Sequence, residues 1–131
     1  MAPAPLMQYN LPRFDGKNEA MQENKKTLPM DKRIVEIARV YARKVKNLMP
    51  VSMVILYGSH AKGTAKEYSD IDIAVVVDKL HGDYLKTSAE LFSLVRTVNK
   101  HIEPVLVCRE HDKSGFLKNV LKHGKVIYKK R

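Results

Sequence analysis

The chain has a single cysteine, Cys108, among its 131 residues. An intramolecular disulfide is therefore excluded, and a reducing cytoplasm is the expected setting. Long apolar runs are missing too. No segment approaches the ~20 residues that a bilayer-crossing helix needs. The first ten residues carry prolines and lack a basic stretch ahead of an apolar one, so no secretory leader is expected. Internal repeats and low-complexity runs are absent. So are the common glycine-rich phosphate signatures. Gly58 and Gly63 have the spacing of a Walker loop, but Thr64 and Ala65 follow where Lys and Ser/Thr are required. No Gly-x-Gly-x-x-Gly occurs. Acidic residues are scarce, 14 against 24 Lys and Arg, for a net charge of +10. Residues 1–30 hold four basic and three acidic residues, and the rest holds twenty and eleven. The excess positive charge thus belongs to the part expected to fold. It favours an anionic ligand: nucleotide phosphates, nucleic acid or an acidic protein.

What is present reads as one domain with a lead-in. Residues 1–28 contain Pro3, Pro5, Pro12, Gly16 and an aperiodic polar run, and are expected to be loosely ordered. Residues 29–131 are expected to form the domain. A helix capped by Asp31 carries Ile34, Ile37, Ala38, Tyr41, Val45 and Leu48 at helical spacing, and Pro50 closes it. An apolar strand over 51–57 follows, with both faces expected to be covered. Gly58-Ser59 opens a short helical turn. A second strand spans 70–77, and a helix spans 83–99 with Leu85, Ala89, Leu91, Phe92, Val95 and Val98 as its inner stripe. A third strand spans 102–107; Pro104 within it costs a ladder donor and marks an edge. A last helix over 113–122 ends at Gly124 as a C′ glycine, and 126–128 form a short terminal strand. This order predicts an α/β or α+β layered domain around a small sheet.

The chemistry concentrates in Gly58–Ile73. Asp70 and Asp72 lie two apart on a strand, so they point the same way. Two close carboxylates repel and raise each other's pKa. A hard divalent cation such as Mg²⁺ relieves that repulsion and fills its shell with phosphate oxygens. Gly58 at a strand end lets backbone approach a ligand closely, and Ser59 adds a hydroxyl and free amides at a helix start. Each feature alone reads as an ordinary turn or a solvated strand. Eleven residues apart, on the rims of two apolar strands, they read together as a phosphate and metal site. Two-metal phosphoryl chemistry calls for a third carboxylate. Glu103, on the third strand, is the best candidate, with Glu67, Asp78 and Asp83 as alternatives in loops.

Gly58-Ser59, Ser69-Asp70-Ile71-Asp72-Ile73 and Ile102-Glu103-Pro104-Val105 together resemble the DNA polymerase β-like nucleotidyltransferases, and most of all their minimal group, abbreviated MNT. The resemblance covers residues 31–131. It implies a small mixed sheet flanked by helices. It also implies that Gly58 and Ser59 hold the triphosphate of ATP or another nucleoside triphosphate, and that Asp70, Asp72 and Glu103 hold Mg²⁺, two ions in all, and carry the catalysis. Lys62 stands where the family often has arginine; it supplies charge to the phosphates without the bidentate fork. His60 replaces a second such arginine. The implied reaction moves a nucleoside monophosphate, AMP for preference, onto a hydroxyl and releases pyrophosphate. The implied acceptor is a partner protein such as a HEPN toxin, with this chain as antitoxin. Three alternatives differ in class: a non-catalytic toxin-binding module, a small-molecule (aminoglycoside-type) nucleotidyltransferase working as a homo-oligomer, and a basic nucleic-acid-binding protein. Tyr57 and Tyr68 flank the motif and are expected at core edges. His101, Cys108 and His111 match no standard zinc spacing, and Cys108 reads as a small buried hydrophobe.

Overall fold

The computed structural model describes residues 31–66 and 68–131. The expected lead-in and Glu67 lie outside them. Helix α1 (Lys32–Leu48) starts where Asp31 accepts a hydrogen bond from the Arg33 amide at 2.8 Å. It buries Ala38, Tyr41, Ala42 and Val45. Leu48, expected in that stripe, is 45% exposed, because the helix ends there and Met49 turns back onto the core instead. Next come strand β1 (Met53–Tyr57), the one-turn helix α2 (Ser59–Lys62) and strand β2 (Ile71–Val77). Helix α3 (Tyr84–Val95), strand β3 (Ile102–Cys108), a 3₁₀ turn (Arg109–His111), helix α4 (Phe116–His123) and strand β4 (Lys125–Lys129) complete the chain.

The sheet order is β3-β2-β1-β4. Strand β1 runs antiparallel to both β2 and β4, and β2 runs parallel to β3. The sheet is mixed, and β3, with its proline, is an edge as expected. Strict alternation sorts the two central strands onto two faces. Val54 and Leu56 with Ile71, Ile73, Val75 and Val77 meet α1 and α3. Met53 and Ile55 with Ala74 and Val76 meet Leu117 and Val120 of α4. The first face is nailed down by Tyr41, whose buried hydroxyl donates to the Leu91 carbonyl at 2.7 Å and so ties α1 to α3.

Helix α3 departs from expectation in length and in facing. It stops at Val95, and tighter turns over 94–99 bring the chain to β3, with Asn99 Oδ1 accepting from the His101 amide at 2.8 Å. Its inner stripe is Leu91, Leu94 and Val95, and Val98 of the following turn packs with them. Leu85, Ala89 and Phe92 face outward, with Leu85 74% and Phe92 49% exposed. Both sets have helical spacing; the Tyr41–Leu91 contact selects one. Helix α4 also starts later than expected. Gly115 occupies a left-handed conformation (φ 82°), and Asp112 and Ser114 side chains cap the Leu117 and Phe116 amides. Gly124 is extended (φ −98°) rather than left-handed. It is glycine because a Cβ there would stand 2.7 Å from the Val120 oxygen and 2.8 Å from both Ile55 and the Leu56 oxygen.

Candidate active site

Helix α4 covers one face of the sheet only in part. At the end where β1 finishes and β2 and β3 begin, the sheet surface carries polar groups. The register sets their neighbours. Asp72 sits between Tyr57 on β1 and Glu103 on β3, its direct partners in the two ladders. Asp70 lies two residues earlier, just before β2, where the Ile71 amide donates to the His101 carbonyl at 2.8 Å. Asp70 and Glu103 are exposed and Asp72 is half-buried.

Gly58 is packed onto this cluster. Its φ of 79° is in the region that only glycine enters freely, and an added Cβ would overlap the Asp72 carboxylate outright, with the carboxyl carbon at 3.0 Å. The turn opens α2, which is closed by Lys62 N donating to the Gly58 oxygen at 3.0 Å and by left-handed Gly63. The first-turn amides of Ser59, His60 and Ala61 have no carbonyl partner within the helix. Lys62 ends the turn with an exposed side chain.

The electrostatics record the crowding of acids. Burial, then Asp70, then Glu103 raise the Asp72 pKa above the usual carboxylate value, and His60 alone works the other way. Tyr57 is pushed up to about 12 by burial and by the Asp72 and Glu103 charges. The donor set is all hard oxygen, and it suffers a repulsion that a divalent cation would remove, so these residues suit Mg²⁺. The backbone brings the three acids to one place, but their oxygens do not all lie within 4.8 Å of one another. Asp70 and Glu103, being exposed, can close that gap by changing rotamer.

The alternatives for the third carboxylate lie elsewhere. Asp78 is at the opposite end of β2, bridged to Arg109 at 3.2 Å and Lys130 at 3.7 Å. Asp83 caps α3. Glu67 is outside the described residues. Two contributors escaped the reading of the motif. His60 Nε2 lies 3.3 Å from the Ser69 carbonyl and pins α2 to the loop that delivers Asp70. Tyr57 shares the acid cluster and meets Phe116 edge-on at 5.6 Å. The parity of the β1 register is the signal for Tyr57; His60 stood in the motif at an arginine's position, but its bond to the Ser69 carbonyl had no signal in the sequence. Tyr68 is no core edge: it is 75% exposed, beside His101. The hollow lined by Arg39, Arg43, Lys46 and Tyr128 is across the molecule, on α1 and β4, and holds none of the acids.

Residues 32–131 match the family described as polymerase beta, nucleotidyltransferase. The chain belongs to that family. The resemblance read from the motif therefore holds, and with it the mixed α+β fold. A Methanocaldococcus jannaschii protein bearing the provisional name protein adenylyltransferase is 33% identical over 91 residues, 68% of this chain and 90% of that one. Among solved structures, a provisionally named nucleotidyltransferase of Sulfolobus solfataricus superimposes with a TM-score of 0.59 at 21% identity, over 88% of this chain and 92% of its own. A toxin–antitoxin structure with AMP-PNP gives 0.55 at 26% identity, over 71% and 74%. A complex of tri-AMPylated Shewanella oneidensis HEPN toxin with MNT antitoxin gives 0.51 at 23% identity, over 73% of each chain. The chain is thus a nucleotidyltransferase that takes a nucleoside triphosphate. Among its described residues no helix is long and apolar enough to cross a membrane.

Proposed function

We propose that this nucleotidyltransferase uses Mg²⁺ to transfer AMP from ATP to a hydroxyl on a partner protein of the HEPN toxin kind, and so acts as an antitoxin. The observation that carries this reading is the ladder Tyr57–Asp72–Glu103 with Gly58 backed onto the Asp72 carboxylate. It puts an amide-rich turn and three acids at one open sheet end. The name of the Methanocaldococcus relative and the AMPylated toxin in the Shewanella complex support AMP and a protein acceptor. In this reading Gly58 and Ser59 hold the phosphates with backbone amides, and Lys62 adds a positive charge beside them. Asp70, Asp72 and Glu103 would hold Mg²⁺. The ions, two in this reading, would supply neutralisation of charge on the phosphates and on the attacking oxygen. Glu103, exposed at the rim, takes the proton from the acceptor hydroxyl.

The test is transfer of label from α-labelled ATP to a purified cognate partner. Asp72→Asn is expected to lower the rate by roughly 10²–10³-fold or more. Transfer at the wild-type rate would overturn the mechanism. The spread of the three acids' oxygens favours one second reading, a non-catalytic antitoxin that occludes its toxin. There, a variant lacking all three carboxylates still rescues cells.

A further inference from the structure

Far from the acidic end of the sheet, three side chains that the transfer chemistry does not use come together. The Cys108 thiol, a Glu110 carboxylate oxygen and a His111 ring nitrogen all lie within 4.8 Å of one another. We infer that they form a second cation site, one for a transition metal of zinc's chemistry rather than for Mg²⁺.

Four observations support this. The donors are a sulfur, an imidazole nitrogen and one carboxylate oxygen, the mixture that zinc accepts and that hard Mg²⁺ does not favour. The charges balance: a thiolate and a carboxylate offset a divalent ion, leaving a neutral complex at the protein surface. The geometry is close to closed. Tetrahedral zinc, with bonds of ~2.0–2.3 Å, sets its ligand atoms about 3.3–3.7 Å apart. His111 Nε2 and Glu110 Oε1 already stand at 3.7 Å. The remaining approach is about 1 Å, within reach of two exposed side chains, while Cys108 is held by the end of β3. Finally, the competing cation is diverted. Arg109, between the ligands in sequence, is drawn off to Asp78 at 3.2 Å.

The site is distinct from the acid cluster. Cys108 pairs with Val77, and Glu103 pairs with Asp72, five rungs away along the same ladder, or about 16 Å. A metal here would clamp the end of β3 to the 3₁₀ turn that leads into α4, the segment whose Asp112 caps the helix. His101, which the sequence offered as a third ligand, is at the other end of β3, beside Tyr68.

The test uses the full chain, stripped with a chelator and titrated with Co²⁺, which accepts the same ligands. Binding at this site should bring a thiolate-to-cobalt band in the near ultraviolet that saturates at one equivalent, with tetrahedral bands in the visible, and Zn²⁺ should displace it. Cys108→Ser should abolish the near-ultraviolet band. Loss of outer-shell partners alone costs about 10–100-fold in affinity, so His111→Ala and Glu110→Gln should weaken binding by at least roughly tenfold. An Asp70→Asn/Asp72→Asn variant should keep the thiolate-to-cobalt band at the parent's intensity and midpoint, whatever Co²⁺ the acid cluster itself takes up. Zn²⁺ should raise the Tm of the parent but not that of His111→Ala. No charge-transfer band in the parent, or undiminished affinity in His111→Ala, overturns the inference. Because Glu110 and His111 are exposed, their variants keep the test alive if Cys108→Ser fails to fold.

Discussion

At the scale of single residues, Asp72 carries a conflict between stability and function. Its folded-state pKa is raised, first by burial and then by Asp70 and Glu103. Between the ordinary carboxylate value of 3.8 and that raised value, the folded chain binds more protons than the unfolded one, so stability falls as pH rises through the window and stays lowered above it. Asp72→Asn removes the conflict. It should melt higher than the parent at pH 7, by a small margin because the group is only half-buried, and the gap should close as the pH falls toward 3.8. Thermal melts across pH check this; equal melting at pH 7 refutes it. Gly58→Ala should have a different signature. The positive φ and the overlap with the Asp72 carboxylate should cost about 1–3 kcal/mol of stability. Displacing that carboxylate should cost about 10²-fold in transfer rate. Melting and steady-state kinetics on the same sample measure both.

At the scale of elements, the two joints that hold the layers can be weighed separately. Tyr41→Phe leaves the packing of α1 intact but removes the buried bond to the Leu91 carbonyl, at a cost of about 1 kcal/mol. Gly124→Ala drives a methyl group into the Val120 and Leu56 carbonyls and the Ile55 side chain where α4 turns into β4, at a cost of about 1–3 kcal/mol. Urea titration ranks them, and a neutral Gly124→Ala would deny the close packing. Expectation and structure agree at the elements whose signal is local. Apolar runs gave β1, β2 and β3, Pro104 marked an edge, and Asp31 marked a helix start. They differ where distant contacts choose. Leu85, Ala89 and Phe92 repeat as regularly as Leu91, Val95 and Val98, and only the position of Tyr41 tells which set is inside. Gly124 ends its helix as the spacing says, but it is glycine for want of room beside two carbonyls and an isoleucine and not for a left-handed turn. In the site, strand parity gave only part of the answer: Asp72 lies on β2, while Asp70 stands just ahead of it, where the strand has not yet begun. That Glu103 stands beside Asp72 depends on a parallel pairing across an intervening helix, which no local pattern encodes. The Cys108–Glu110–His111 grouping was hidden for the opposite reason: its members, at the end of β3 and on the 3₁₀ turn after it, are closer in sequence than standard zinc spacings.

At the scale of the whole molecule, charge is distributed unevenly. Residues 31–131 carry twenty basic and eleven acidic residues. Four of those acids face a basic neighbour: Asp31 with Arg33, Glu36 with Arg43, Asp78 with Arg109 and Lys130, Glu110 with His111. Asp70, Asp72 and Glu103 are gathered instead at one sheet end, a negative spot within a positive field. Such a field accelerates the approach of an anionic partner without adding contacts in the final complex. If the acceptor is an acidic protein, its kcat/KM should fall several-fold as NaCl rises from about 50 to 500 mM, since screening shortens the reach of the field from about 14 Å to about 4 Å. Reversing Arg39 and Arg43 to Glu should flatten that dependence while leaving the KM for ATP unchanged, because both residues lie on α1, across the sheet from the acids. Stopped-flow association at several salt concentrations, with parent and double variant, measures the slope directly. A slope near zero in the parent would mean that the positive surface plays no part in meeting the acceptor. A steep parent slope unchanged in the double variant would move the encounter surface to the basic side chains of α4 and the C-terminal end.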